Sequence, residues 1–198
     1  MRAERIVLNI LSRMSGIATK AYKATGIVEK ASPGTRVAGT RKTTPGFALF
    51  EKRALIDGCA LPHRKDLSSL AMLKDNHISA LGGGPDAIRD AVEMIREVHG
   101  PYIQVEVEIE DIDSGIAAVD AGANIVMLDN MTHEEASEAS IALREAASKL
   151  GRKIVLEASG GIGIDELASY APHVDVISMG SLTYGASPIG FKMEMLIE

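Results

Sequence analysis

Val105-Glu106-Val107-Glu108-Ile109-Glu110 alternates apolar and acidic residues with a period of two. Successive side chains of a strand point to opposite faces, so Val105, Val107 and Ile109 share one side and the three glutamates the other. Standing alone, such a strand would turn its acids to water. Amphipathic segments on either side, roughly 85–98 and 111–121, argue for a different arrangement. Helices cover the apolar face, and the glutamates point into the mouth of a barrel. Carboxylates inside a barrel are costly to desolvate unless they meet cations, a metal or a substrate.

The same rhythm extends in both directions. Short runs rich in Val and Ile near 36–39, 70–73, 102–109, 124–128, 153–156 and 174–179 read as strands. Helical periodicity over 46–57, 85–98, 111–121, 132–150 and 164–170 lies between most of them, so the strands pair in parallel through right-handed crossovers. Nearly every strand ends in reactive or small residues: Arg41-Lys42, Lys74-Asp75, Asp129-Asn130, Ser159-Gly160-Gly161 and Gly180-Ser181. Many strands contributing to one face is the mark of a barrel, whereas a doubly wound sheet gathers its site at one switch point. A closed eight-unit barrel takes about 250 residues. Six strands in 198 residues therefore predict an incomplete or open (β/α) barrel with parallel strands.

A helix is expected ahead of it, from Arg2 to Val28, burying Val7, Leu11, Met14, Ala18 and Ala21, and ending at Ser32-Pro33-Gly34. This divides the chain into an N-terminal helix and linker, 1–35, and an α/β-barrel catalytic domain, 36–198. The apolar share of 46% and charged share of 24% are those of a globular protein. A net charge of −6 makes nucleic acid and anionic membranes poor partners. No run of roughly 18 uninterrupted apolar residues occurs, so no membrane span is expected. One cysteine, Cys59, leaves no internal disulfide and favours a reducing, cytoplasmic setting.

The strand-end groups form two sets. Arg41, Lys42, His63, Arg64 and Lys74 are cationic; Glu106, Glu108 and Asp129 are acidic. Cations gathered at one mouth of an acidic protein suit an anionic substrate, with arginine gripping carboxylate or phosphate through paired contacts. Neighbouring carboxylates suit Mg²⁺, which prefers oxygen ligands shared with substrate phosphates. Ser159-Gly160-Gly161 and Gly180-Ser181 follow the last two strands, where barrels commonly hold a phosphate on backbone N–H groups.

Six segments in order, Gly39-Thr-Arg-Lys-Thr-Thr-Pro-Gly46, Pro62-His-Arg64, Leu73-Lys-Asp-Asn-His-Ile78, Val105-Glu-Val-Glu108, Met127-Leu-Asp-Asn130 and Leu156-Glu-Ala-Ser-Gly-Gly161, resemble the signatures of the quinolinate phosphoribosyltransferases, from about Ala3 to Thr183. The resemblance implies a pentosyltransferase of NAD biosynthesis that converts quinolinate and phosphoribosyl pyrophosphate to nicotinate mononucleotide, pyrophosphate and CO2 with Mg²⁺. By the same resemblance Lys42, Glu108 and Asp129 are catalytic, and Glu108 and Asp129 also hold the metal. Arg5, Arg41, Thr43, His63, Arg64 and Lys74 bind substrate, with Arg5 crossing into the neighbouring site of a homodimer. Ser159, Gly160, Gly161, Met179, Gly180 and Ser181 hold a phosphate. The family's N-terminal sandwich domain is absent from this sequence. Gly58-Cys-Ala-Leu-Pro-His63 departs from the usual glycine-rich approach to the histidine, and Tyr184 stands where the family commonly has a histidine. Two alternatives stay open. One is a phosphoribosyltransferase of the branch associated with molybdenum transport. The other is a non-catalytic barrel subunit that needs a separate N-terminal partner.

Overall fold

The computed structural model describes residues 3–194. Six strands, β1 (Arg36–Ala38), β2 (Ala71–Leu73), β3 (Val105–Ile109), β4 (Ile125–Asp129), β5 (Val155–Ser159) and β6 (Val176–Ser178), form one parallel sheet in the order β1-β6-β5-β4-β3-β2. That order never reverses. From β2 to β6 each crossover moves one place in the same direction, and β1 joins at the far end beside β6, as in a barrel, where a doubly wound sheet would turn back. Leu61 adds a single bridge on the free edge of β1, its N–H donating to the Val37 carbonyl at 2.8 Å. Among the described strands β2 pairs only with β3, so the barrel stands open between Leu61 and β2.

Seven helices cover the outside: α1 (Glu4–Ala31), α2 (Ala48–Asp57), α3 (Asp75–Ala80), α4 (Gly84–His99), α5 (Ile112–Ala121), α6 (His133–Lys149) and α7 (Leu167–Tyr170). Neighbours touch in the order α3, α4, α5, α6, α7, α1, α2, so α1 is a member of the ring. Local signals set the ends. Asp111 accepts from the Ser114 N–H to start α5. Thr132 and Glu135 exchange side-chain and backbone bonds to start α6, satisfying N–H groups that have no intrahelical partner.

The alternation of β3 appears as expected. Val105, Val107 and Ile109 are buried beneath the helices, each contributing roughly 1.5–3 kcal/mol by leaving water. The glutamates rise through three levels: Glu106 is fully enclosed, Glu108 is half-buried, and Glu110 is exposed just past the strand end.

One expectation needs correction. The described part of α1 buries Leu8, Gly16, Ile17, Ala21, Ala24 and Val28, whereas Val7 and Leu11 are exposed. Both stripes have helical periodicity, and the chain packs the C-terminal two thirds of the helix against the barrel while the first turns project past it. Arg2, where the helix was expected to begin, lies outside the described residues. A helix that the periodicity did not indicate, α3, follows Lys74 with six residues. Among the described residues no helix is long and apolar enough to cross a membrane.

Candidate active site

The C-terminal ends of the strands surround a cavity of about 450 Å³ whose lining includes Arg41, Lys42, His63, Arg64, Lys74, Glu108, Asp129, Ser159, Gly160 and Gly161. Most of the expected set is thus brought together by the ends of β1 to β5 and the segment after Leu61. A second recess, about 70 Å³, lies alongside and is lined by both glycine loops, including Met179, Gly180 and Ser181. Lys42 borders both spaces. Met179 is buried, so only its backbone is available there. Thr43 lines neither space and sits near the Arg41 carbonyl. Arg5 lies exposed on the first turns of α1, also outside both linings.

The cationic wall is crowded. Burial and then the charge of Arg41 disfavour the Arg64 guanidinium, against the attraction of Glu106 and Glu108. Arg64 donates to the Leu70 carbonyl at 3.1 Å and contacts the Met72 sulfur at 3.2 Å, which anchors the guanidinium at the wall. Lys74 pairs with Glu108, not with its neighbour Asp75. His77 caps α3 by accepting the Lys74 N–H at 3.0 Å, so it is structural.

On the acidic side, Asp129 is raised above the usual aspartate range by burial and then by the charge of Glu108. Its carboxylate accepts from the Asn130 side-chain amide at 2.7 Å. Asn130 takes a left-handed backbone, φ 54°, and lies against Gly160. A Cβ on Gly160 would come within 2.6 Å of the Asn130 nitrogen, at φ 99°, so only glycine fits this turn. A Cβ on Gly180 would lie 2.8 Å from the Tyr184 ring and 3.0 Å from the Lys42 side chain, which keeps the second recess open.

The loop that carries Arg41 and Lys42 is tied down from behind. Glu51 on α2 is fully buried and accepts from Arg13 at 2.7 Å, the Thr44 N–H at 3.0 Å and the Thr44 hydroxyl at 2.9 Å. Arg13 of α1 donates onward to the Thr183 carbonyl at 2.9 Å, and the Thr183 hydroxyl donates to the Lys42 carbonyl at 2.6 Å. Lys20, also on α1, donates to the Ser181 carbonyl at 2.8 Å. The Lys42 loop and the loop after β6 therefore share one clamp built by α1 and α2.

Beneath the mouth lies a floor of which sequence reasoning named His63 and Glu106 but missed Glu157. Glu157 on β5 and Glu106 on β3 flank the His63 ring; Nε2 is 3.1 Å from Glu157 and 4.0 Å from Glu106. Glu106 is pushed up to about 8, by burial first and then by the charge of Glu157, and neither of its oxygens has a partner among the described residues. Counting back two residues from Ser159 along the strand would have placed Glu157 on the same inner face.

The arrangement has relatives. The family described as "Quinolinate phosphoribosyl transferase, C-terminal domain" matches residues 17–194. A human protein named nicotinate-nucleotide pyrophosphorylase [carboxylating] is 42% identical over 193 residues, 97% of this chain and 62% of its own length. The protein of that name from Dictyostelium discoideum is 42% identical over 200 residues, 97% of this chain and 64% of its own. The crystal structure of NadC from Streptococcus pyogenes superposes with a TM-score of 0.84 at 35% identity, covering 98% of this chain and 64% of that one. The chain thus spans under two thirds of the length of these relatives. On the family match and these identities, the chain belongs to the quinolinate phosphoribosyl transferase family and corresponds to its C-terminal domain.

Proposed function

We propose that this chain carries the active site of a nicotinate-nucleotide pyrophosphorylase (carboxylating), joining quinolinate to phosphoribosyl pyrophosphate. The observation that carries the reading is the convergence of Arg41, Arg64 and Lys74 on one mouth that opens beside a glycine-lined recess, with Lys42 at the boundary. A planar dicarboxylate suits the cationic wall. The 5′-phosphate of the ribose suits the recess, where backbone N–H groups and Ser159 and Ser181 can donate.

In this reading the pyridine nitrogen attacks the anomeric carbon, and the C–O bond breaks with its electron pair leaving on pyrophosphate. The ribose carries developing positive charge, which Asp129 and Glu108 face. Lys42 stabilises the departing oxygens. Loss of the 2-carboxylate as CO2 leaves an electron pair on the ring carbon, which takes up a proton. Mg²⁺ fits the donor set: Glu108 and Asp129 end adjacent strands at the mouth, Asp129 is raised by burial and then by the charge of Glu108, and a divalent cation relieves that repulsion. Glu108 and Asp129 would hold it, and when bound it neutralises pyrophosphate charge.

Arg5 lies exposed, outside the lining of its own mouth, on a helix whose Ile6, Val7 and Leu11 are also exposed, which fits a homodimer with shared sites. The setting proposed is cytoplasmic.

Quinolinate-dependent release of pyrophosphate by the purified protein, with and without Mg²⁺, tests the reading. Asp129→Asn should lower turnover by about 10²–10³ with little change in thermal stability. Calorimetry in which nicotinate binds and quinolinate does not would remove the substrate assignment. Mixing Arg5→Ala chains with Asp129→Asn chains should restore part of the activity if sites are shared. No recovery despite subunit exchange would reject sharing.

A further inference from the structure

Both ring nitrogens of His63 are engaged within the protein. The backbone N–H of Arg64 donates to Nδ1 at 2.8 Å, so Nδ1 presents a lone pair. The ring proton must then sit on Nε2, which is 3.1 Å from a Glu157 oxygen and turned to the floor of the barrel. This leaves no ring N–H to offer a substrate carboxylate in the mouth. The same bond disfavours a metal on the floor, although one donor atom each from His63, Glu106 and Glu157 lie within 4.8 Å of one another. A histidine bound to metal through Nε2 carries its proton on Nδ1, where it would face the Arg64 N–H donor to donor.

The backbone at His63 is held in a costly form. Its φ is 58°, a left-handed value sparsely populated by residues other than glycine, and such strain persists only where the surroundings enforce it. The next residue is Arg64, whose guanidinium lies against Leu70 and Met72 at the wall of the mouth.

We propose that Glu157 is a positioning residue that acts through the His63 ring: it holds the ring, the ring fixes the turn at His63, and the turn aims Arg64 at the substrate carboxylate. His63 is then a strut and not a ligand. The inference rests on the function proposed above for its substrate, but not for its geometry.

Long-range ¹H–¹⁵N spectra of the full chain read the ring directly, with His63 assigned by the signal missing from His63→Gln. The expected result is a neutral ring protonated at Nε2 that keeps this form when quinolinate is added. A ring protonated at Nδ1 or at both nitrogens, or one whose Nε2 bond changes on adding quinolinate, would overturn the proposal. Calorimetry supplies the functional arm. Glu157→Leu should weaken quinolinate binding about tenfold while phosphoribosyl pyrophosphate binds within about twofold of wild type, and Glu157→Gln, which keeps an acceptor for Nε2–H, should restore most of the loss. Unchanged quinolinate binding in Glu157→Leu, or equal loss for both substrates, would reject the strut. If the leucine variant does not fold, the ring spectrum decides. If wild type fails to bind quinolinate, the functional reading falls, while the spectrum of the ligand-free protein still tests the strut.

Discussion

Glu51 at the rim of the barrel and Glu106 on its floor are both fully enclosed, yet they reach opposite protonation states. Burial pushes each towards the neutral acid. At Glu51 the push is outweighed by donors: Arg13, the Thr44 N–H and the Thr44 hydroxyl hold the carboxylate below its ordinary range. At Glu106 the nearest polar neighbours are another carboxylate, Glu157, and a ring proton already given to that carboxylate. Its affinity for a proton rises to about 8. The difference teaches that enclosure does not decide charge; the supply of donors does. The rim uses its glutamate to bind four segments together, while the floor keeps a neutral acid beneath the working groups.

The sharpest way to break the comparison is to remove each carboxylate at neutral pH. Glu51→Ala leaves Arg13 without its partner in a partly buried place and should lower unfolding free energy by about 3 kcal/mol, at the low end for a broken buried pair because Arg13 keeps two carbonyl acceptors. Glu106→Gln replaces an acid that must take up a proton on folding at this pH, so it should not lower stability and should raise it. Denaturant titrations giving equal losses would void the contrast.

A smaller effect sharpens it by sign. Glu51 has a folded value below that of the unfolded chain, so its contribution is complete above about pH 4.5 and is lost as pH falls through the folded value. The melting gap between wild type and Glu51→Gln should therefore narrow in acid. Glu106 works the other way. The folded state keeps a proton that the unfolded chain releases above about pH 4.5, so wild-type stability declines from there to about pH 8. Glu106→Gln should gain on wild type across that window. Parallel melting curves for the two variants would contradict both assignments.

Thr44→Val should show a smaller loss than Glu51→Ala, about 1 kcal/mol, because Glu51 keeps Arg13 and the Thr44 N–H after the hydroxyl is gone. A loss as large as that of Glu51→Ala would mean that the hydroxyl, not the arginine, holds the clamp.

Much of this was legible in the chain. Six strands and six of the seven helices described follow directly from period-two and helical patterning, and the strand-end residues mark the mouth because parallel barrels gather those ends on one side. What escaped was set by tertiary contacts. The apolar stripe holding Val7 and Leu11 is as periodic as the one holding Ile17, Ala24 and Val28, and only the placement of the barrel selects between them. At six residues, α3 is too short to show a period. Glu157 hid behind the glycine loop that follows it, and the tautomer of His63 depends on a backbone turn that no spacing reveals.

The pairing of β1 with β6 bears on how the molecule is made. Strands β2 to β6 can add one after another as the chain emerges from a ribosome, each beside its predecessor. The first strand cannot: its partner is synthesised last, about 140 residues later by the register of Arg36 with Val176. Until then β1, the Arg41–Lys42 loop and the helix α1 have only one another, α2 and the Leu61 bridge, and lack the support of α7, β6 and the loop after β6. Closure of so long a loop is slow by topology. A nascent chain halted before β6 would hold much of its sheet and the Ser159–Gly161 side of the recess but not the Met179–Ser181 side, so the recess should be completed in a single late step.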